Sequence, residues 1–159
     1  ALLHKNGWKG VNIDLNQKSI DMFSACREDD LNIVACLSDK IENVDIYIDN
    51  EFSALNSIYS ENLKKFNIKE IKKVEIKTKI FSDLVHDKFD FLNIDCEGND
   101  FKVLRTIDLN YFKPKVINIE VNDQNKDIIY DYLKLYDYRI YKIQSLSHIF
   151  VRKMVNQNE

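Results

Sequence analysis

Apolar and polar positions in the second half of the chain repeat with two different periods. The runs 89–95 (FDFLNID) and 115–120 (KVINIE) are short and mostly apolar, which predicts buried strands. The segments that follow them, 99–108 and 126–136, have apolar residues at helical spacing. This β-α-β-α order predicts parallel strands joined by helical crossovers. The apolar stripe of the second helix is predicted to contain Ile128, Ile129, Tyr132, Leu133 and Tyr136.

The first half shows the same kinds of pattern with less regularity. Residues 10–14 (GVNID) and 31–38 (LNIVACLS) predict short strands. Between them the apolar spacing predicts a helix over about residues 17–27, which Asn16 can cap. Further on, the spacing predicts in turn a strand, a helix, a half-exposed edge strand and a short helix, over residues 45–49, 51–66, 73–78 and 80–86.

Two apolar runs close the pattern, 138–143 and 147–152, and the short polar connection between them predicts an antiparallel hairpin. The whole order predicts an α/β fold, a Rossmann-like sandwich with a mostly parallel sheet and a C-terminal antiparallel hairpin. A chain of 159 residues is most simply one domain, here expected over residues 1–153 with a polar tail at 154–159.

Composition narrows the range of partners and compartments. The net charge is -3 and the lysines are scattered among acidic residues, so we expect no nucleic-acid partner. No apolar run approaches the roughly 18 residues that a membrane span requires. The chain has three cysteines, an odd number, without a C-x-x-C pair, which favours reduced thiols and a cytoplasmic location.

Three predicted strands end in acidic residues: Asp14, Asp95 with Glu97 just beyond it, and Glu120. In open α/β sheets, ligands bind beyond the carboxyl ends of the strands. Acids at that edge could accept hydrogen bonds from ribose hydroxyls, hold a metal, orient an ammonium group or act as a general base.

Each acid also has a purely structural interpretation. Asp14 could be a solvated acid beside Asn16. In the stretch DCEGND, Asn99 could cap a helix whose positive end Glu97 and Asp100 complement. That interpretation does not account for Asp95, because a carboxylate at the edge of a sheet must find partners.

We therefore favour functional roles for Asp95 and Glu97. If the strands 89–95 and 115–120 are neighbours, Glu120 and Asp95 could converge on one ion or one substrate hydroxyl; otherwise Glu120 pairs with a nearby basic residue. The three histidines show no metal-binding spacing, and no residue is assigned as a metal ligand.

Taken together, the segments GWKGVNIDLN, REDDLNIVACLSD, FDFLNIDCEGNDFKVLRTIDL and KPKVINIE resemble the FkbM-type family of S-adenosylmethionine-dependent methyltransferases. The resemblance covers nearly the whole chain in the right order. It implies a Rossmann-like domain that methylates hydroxyl oxygens of sugars, polysaccharides or other secondary metabolites. It further implies that the cofactor is bound by Asp14, Asn16, Cys36, Leu37, Ser38 and Asp95.

The same resemblance implies that Asp95 and Glu97 border the methionine end of the cofactor and the acceptor. Members of the family also carry a first strand and a D-x-G-A-N-type loop ahead of the position at which this chain begins. The sequence is therefore expected to be an N-terminally truncated form of the family domain. An exposed sheet edge would then favour a homodimer.

Methyl transfer to an oxygen needs alignment and the removal of one proton. The hypothesis is that Asp95 or Glu97 orients or deprotonates the acceptor hydroxyl, assisted by Glu120; a variant places Mg²⁺ between the strand-end acids. The alternative from another class is a non-catalytic interaction or scaffold domain that binds no cofactor. A nicotinamide-dependent enzyme is disfavoured because the chain has no G-x-G-x-x-G motif.

Overall fold

The computed structural model describes residues 2–48 and 72–153. The chain divides into two compact units, Ala1–Val85 and His86–Glu159, and each is described by itself. The helix predicted over 51–66 and the polar tail at 154–159 lie outside the described residues. A single domain over 1–153 stays a prediction.

The first unit opens with a parallel strand pair and a helix between its strands. Helix α1 is followed by Gly7, whose φ of 83° lies in the left-handed region that often ends a helix. Strands β1 and β2 pair in parallel, with Val11 opposite Leu31 and Asp14 opposite Val34. The intervening helix buries Ile20. The bounds are α1 Leu2–Lys5, β1 Val11–Asp14, α2 Gln17–Cys26 and β2 Leu31–Val34.

The rest of the described part of this unit is an antiparallel pair, β3 Asn43–Ile48 with β4 Lys72–Lys77. Leu37, which precedes β3, and Lys79, which follows β4, form an isolated parallel bridge. The short helix predicted over 80–86 is reduced to a single 3-10 turn, Phe81–Asp83.

The second unit is a four-stranded sheet in the order β5-β6-β8-β7. Strands β5 and β6 are parallel, and β8 is antiparallel to both β6 and β7. The predicted C-terminal hairpin is therefore confirmed. The bounds are β5 Phe91–Ile94, α3 Asp100–Leu104, α4 Leu109–Phe112, β6 Val116–Glu120, α5 Lys126–Leu135, β7 Tyr138–Gln144 and β8 Ser147–Arg152.

Strand alternation decides which face of this sheet is buried. In β6, Ile117 and Ile119 are fully buried, whereas Val116, Asn118 and Glu120 are partly exposed. Helix α5 contributes its completely buried Ile129 and Leu133 to the core. Ile128 was predicted to share that stripe, but it is 50% exposed, because a helix of this amphipathicity buries only one narrow side.

The prediction of a mostly parallel sheet is wrong for the described residues. Within residues 2–48 and 72–153 the strands form three small sheets, and of their strand pairs only β1-β2 and β5-β6 are parallel. The charged and apolar alternation of β4 suits an antiparallel strand with one exposed face rather than a buried parallel strand. In the second unit, β8 of the hairpin inserts beside β6 and makes that half of the sheet antiparallel.

Candidate functional site

The acidic ends of β5 and β6 leave the sheet side by side. The parallel register places Ile94 opposite Ile119, so the next residues, Asp95 and Glu120, are neighbours. Carboxylate oxygens of Asp95, Asp100 and Glu120 all lie within 4.8 Å of one another. Asp95 is exposed, Asp100 is fully buried and Glu120 is half-buried. We call these three residues the acid cluster.

The chain between β5 and α3 is a tight left-handed turn. Glu97 and Gly98 have φ values of 51° and 95°, a conformation that glycine adopts readily and glutamate only at a cost. The Asp100 carboxylate closes the turn by accepting hydrogen bonds from the backbone amides of Cys96, at 2.8 Å, and Gly98, at 3.1 Å. Asn99 occupies the N-cap position, but its side chain makes no capping hydrogen bond. Asn99 is therefore the N-cap residue by position, as the structural interpretation has it, but the side chain that holds the turn is that of Asp100.

Burial and the neighbouring negative charges raise the pKa of Glu120 to about 7. Burial is the largest cause, followed by the negative charges of Asp100, Asp95 and Glu97 and a hydrogen bond to the Asp95 side chain. Two carboxyl groups can share a hydrogen bond only when one of them carries a proton. The raised pKa therefore favours the protonated form of Glu120, relative to a free glutamate, at pH values up to about 7.

Burial also raises the pKa values of Glu97 and Asp100. For Glu97 the charges of Asp95 and Asp100 add to the effect of burial. For Asp100, burial prevails over the hydrogen bonds from its own amide and those of Cys96 and Gly98, which act in the opposite direction. At the carboxyl edge of β5 and β6, burial thus favours the protonated form of these carboxyl groups more than water does.

The spacing of the acid cluster alone would admit a cation. However, both oxygens of Asp100 already accept backbone amide hydrogen bonds, one from Cys96 and one from Gly98. Each of these oxygens keeps a second lone pair, so the geometry of the cluster suits either a shared proton or a cation.

A shallow cavity of about 560 Å³ lies on the partly exposed face of the same sheet. It approaches the acid cluster, because Asn118 precedes Glu120 by two residues on one face of β6 and Ser147 is the strand partner of Glu120. Amide and hydroxyl groups face an aromatic ring and two aliphatic side chains across it. The lining residues are Phe91, Val116, Asn118, Gln144, Ser145, Ser147 and Ile149.

His148 does not join the acid cluster. It is 6% exposed, and its Nδ1 atom lies 2.9 Å from the hydroxyl of Tyr130 on α5. Burial and the charge of Lys126 lower its pKa. It therefore packs as a neutral, hydrogen-bonded ring on the face of the sheet that α5 covers.

The predicted ribose-binding residues, Asp14 and Asn16, lie in the first unit and form the start of α2. The Asp14 carboxylate accepts a hydrogen bond from the amide of Asn16 at 2.8 Å, and the Asn16 side chain accepts one from the amide of Lys18 at 2.9 Å. Both residues are half-buried. Their assignment to a cofactor, and the prediction that Asp14 shares an edge with Asp95 and Glu120, stay predictions.

The predicted adenine-flanking stretch, Cys36 to Ser38, also lies in the first unit, just after β2. Its backbone is held against Lys79 by hydrogen bonds of 2.8 and 3.0 Å. Cys36 and Ser38 are buried, and burial raises the pKa of the Cys36 thiol. Leu37, between them, is half-buried. The stretch is therefore a well-fixed extended segment, and its contact with adenine stays a prediction.

Asp100 is the member of the site that the sequence interpretation missed. Its position at the first residue of a helix suggested only an interaction with the helix dipole. The spacing D-x-E-G-x-D carried a usable signal. The glycine permits a left-handed turn that brings a carboxylate five residues after Asp95 back to the strand end.

Comparison with known proteins identifies the family. Residues 1–140 match the Methyltransferase FkbM domain. No curated protein and no solved structure matches the chain. Because the match covers most of its length, the chain belongs to the FkbM methyltransferase family, and that membership supports methyltransferase activity. Within residues 2–48 and 72–153, no helix is long and apolar enough to cross a membrane.

Proposed function

We propose that this FkbM-family chain is an S-adenosylmethionine-dependent O-methyltransferase whose acceptor is a hydroxyl of a sugar, a polysaccharide or a secondary metabolite. The observation that carries the proposal is the half-buried Glu120, whose pKa is raised to about 7 by burial and by the neighbouring carboxylates. General bases work best when their pKa lies near the working pH.

In this proposal Glu120 removes the proton of the acceptor hydroxyl as the oxygen attacks the methyl group. The hydroxyl oxygen forms the new carbon–oxygen bond as the bond between the methyl carbon and the donor's sulfur breaks, which would leave a neutral thioether, and the hydroxyl proton passes to a Glu120 oxygen. The transferred proton neutralises the Glu120 carboxylate, and Asp95, whose oxygen lies within 4.8 Å of it, holds Glu120 in position. Glu97, the middle residue of the turn Cys96–Gly98, orients the acceptor.

S-adenosylmethionine would supply an electrophilic methyl group on a positively charged sulfur. The donor set fits that cofactor, because carboxylates stabilise a sulfonium or ammonium group and accept hydrogen bonds from vicinal ribose hydroxyls. We assign the ribose to Asp14 and Asn16, the adenine to Cys36, Leu37 and Ser38, and the methionine end to Asp95.

The cavity next to Glu120 supports a hydroxyl-bearing acceptor. Asn118, Gln144 and Ser147 offer amide and hydroxyl groups that can donate to and accept from a polyol. Phe91 offers a flat apolar surface of the kind against which the faces of ring compounds pack. Such a lining does not favour a strongly charged acceptor.

A cytoplasmic location also belongs to this proposal. It rests on the odd number of cysteines, three, in the sequence and on the absence of a C-x-x-C pair.

Two measurements test the function. Titration calorimetry with S-adenosylmethionine and with its demethylated product is expected to show binding. Transfer of labelled methyl groups to a panel of sugars and polysaccharides is expected to fall by roughly 10²–10⁴-fold in Glu120→Gln, because the base is lost.

The matched control is Asp90→Asn. Asp90 is an acid at the opposite end of β5, where it pairs with Lys115 at 2.9 Å, so transfer should change little. Absence of cofactor binding in the folded protein would instead favour a non-catalytic interaction domain. Near-normal transfer by Glu120→Gln would refute the role of Glu120. Loss of transfer with a chelator, restored by Mg²⁺, would refute a mechanism without a metal ion.

A further inference from the structure

We propose that Asp100 is a positioning residue for methyl transfer: its buried carboxylate holds the turn Cys96–Gly98 so that Asp95 and Glu97 are presented beside Glu120. The inference rests on the proposed function for its catalytic meaning. The geometry on which it depends can be tested without cofactor or acceptor.

The first support is the way the carboxylate is used. Asp100 is 0% exposed, and its two oxygens each accept one amide hydrogen bond, from Cys96 and from Gly98. These amides flank Glu97, so fixing them fixes the Glu97 backbone in its left-handed conformation with φ of 51°. A charged acceptor makes the stronger class of hydrogen bond, which can offset the strain at Glu97.

The second support is the position of Asp100 relative to the two strand ends. One of its oxygens lies within 4.8 Å of oxygens of both Asp95 and Glu120, although it belongs to a helix and not to the sheet. Helix α3 has only five residues, so a dipole interaction alone gives little reason to bury an acid at its start. Asp100 instead links the turn, the end of β5 and the end of β6.

The third support is electrostatic. After burial, the negative charge of Asp100 is the largest of the causes that raise the pKa of Glu120. The other ionisable groups acting on Glu120 are Asp95 at the end of β5 and Glu97 in the turn. From β8, its strand partner is Ser147, which does not titrate near neutral pH. Asp100 therefore influences the proton affinity of Glu120 as well as the placement of the turn.

Asp108 provides a matched control within the same unit. It too is an aspartate at the start of a short helix, and its carboxylate accepts hydrogen bonds from the amides of Asn110, at 2.9 Å, and Tyr111, at 3.1 Å. It caps α4 and is not a member of the acid cluster. Asp108→Asn thus removes, at the start of a second helix, a charged carboxylate that accepts backbone amide hydrogen bonds.

The experiment uses nuclear magnetic resonance on the whole chain, as wild type, Asp100→Asn and Asp108→Asn. Amide hydrogen exchange is measured at Cys96 and Gly98, and the pH midpoint of Glu120 is followed through its side-chain carboxyl carbon. Asp100→Asn is expected to speed exchange at one or both amides by about tenfold, because an amide side chain can accept only through its oxygen. It should also move the Glu120 midpoint to lower pH, because one negative charge is removed.

Asp108→Asn should change neither quantity, and exchange at Asn110 and Tyr111 should change less than exchange at Cys96 and Gly98 does in Asp100→Asn, because one Asp108 oxygen accepts both amides and the oxygen of Asn can replace it. If Asp100→Asn does not fold, Asp100→Glu replaces it: the charge is kept but displaced, so exchange should still accelerate at Cys96 and Gly98. Unchanged exchange at both amides, or a Glu120 midpoint that does not move in Asp100→Asn, would overturn the proposal.

The same proteins are then assayed for methyl transfer at a series of pH values. If wild type transfers methyl groups, Asp100→Asn should lower kcat more than it raises KM and shift the pH profile in the direction of the Glu120 midpoint. An unshifted profile would overturn the positioning role. If wild type is inactive while the resonance results are as expected, the proposed function fails and the role of Asp100 in building the turn stands.

Discussion

Two parallel strand pairs in this protein carry an acidic residue at a carboxyl end. They differ in the residue that the neighbouring strand places beside that acid. At the end of β1, Asp14 lies opposite Val34, and its carboxylate accepts a hydrogen bond from the amide of Asn16, two residues away. At the end of β5, Asp95 has another acid, Glu120, as its neighbour on the parallel strand, and Asp100 completes the cluster from the following helix.

The difference shows that an acid at a strand end acquires its chemistry from what lies across from it. Beside an apolar partner, Asp14 organises the first turn of a helix. Between two other carboxyl groups, Glu120 is driven to hold a proton near neutral pH. The position in the strand is the same in both cases, and only the neighbours differ.

The largest expected effect is a loss of stability, and it should differ between the cores beneath β6 and β1. Ile117 in β6 is 0% exposed, and Ile117→Ala should lower the free energy of unfolding by about 2–5 kcal/mol, because it leaves a cavity. Ile13 in β1 is only half-buried, so Ile13→Ala should cost clearly less. Chemical denaturation measures both variants. Equal losses would mean that β1 is as well covered in solution as β6 and would remove the contrast between the two cores.

A smaller effect concerns the dependence of stability on pH. Because the pKa of Glu120 is raised from 4.5 to about 7, the folded state binds more protons than the unfolded state within that interval. The stability that the protonated carboxyl contributes is therefore complete below about pH 4.5 and is lost as the pH rises through 7. Glu120→Gln should flatten this decline by about 1–2 kcal/mol, less than the full shift implies because the group is partly solvated.

Denaturation at several pH values measures this change. The decline should be reduced in Glu120→Gln and not abolished, since Glu97 and Asp100 also have raised pKa values. Ser147→Ala, which alters the strand partner of Glu120 without changing an ionisable group, should keep the wild-type slope. A slope identical in Glu120→Gln and wild type would show that the acid cluster does not store a proton.

The smallest effect tests the local role of the β1 end. Asn16→Ala removes the side chain that accepts the Lys18 amide hydrogen bond and should lower the free energy of unfolding by about 1 kcal/mol. Asn16→Asp keeps an acceptor at the N-cap and should restore most of that loss. Thermal unfolding followed by circular dichroism compares the two. Equal stability of Asn16→Ala and wild type would contradict a capping role at this strand end.

Local patterns alone were enough to predict most of the elements. The apolar runs that became β1, β5, β6, β7 and β8 lie where the sequence predicts them, and the Asn16 cap and the Gly7 helix end follow from local backbone chemistry. Residues adjacent in sequence decide these features, so the sequence of one chain is enough to predict them. The family could also be recognised from the ordered motifs, and the match over residues 1–140 confirms it.

Strand pairing, by contrast, was decided by the tertiary structure. Whether Asp95 meets Glu120 depends on β5 lying beside β6, and the antiparallel share of the sheets depends on where the hairpin inserts. The role of Asp100 was hidden for the same reason, since only the folded turn carries its carboxylate back to the strand ends. A proton affinity is set by burial and by charges from distant parts of the chain, and these exist only once the chain has folded.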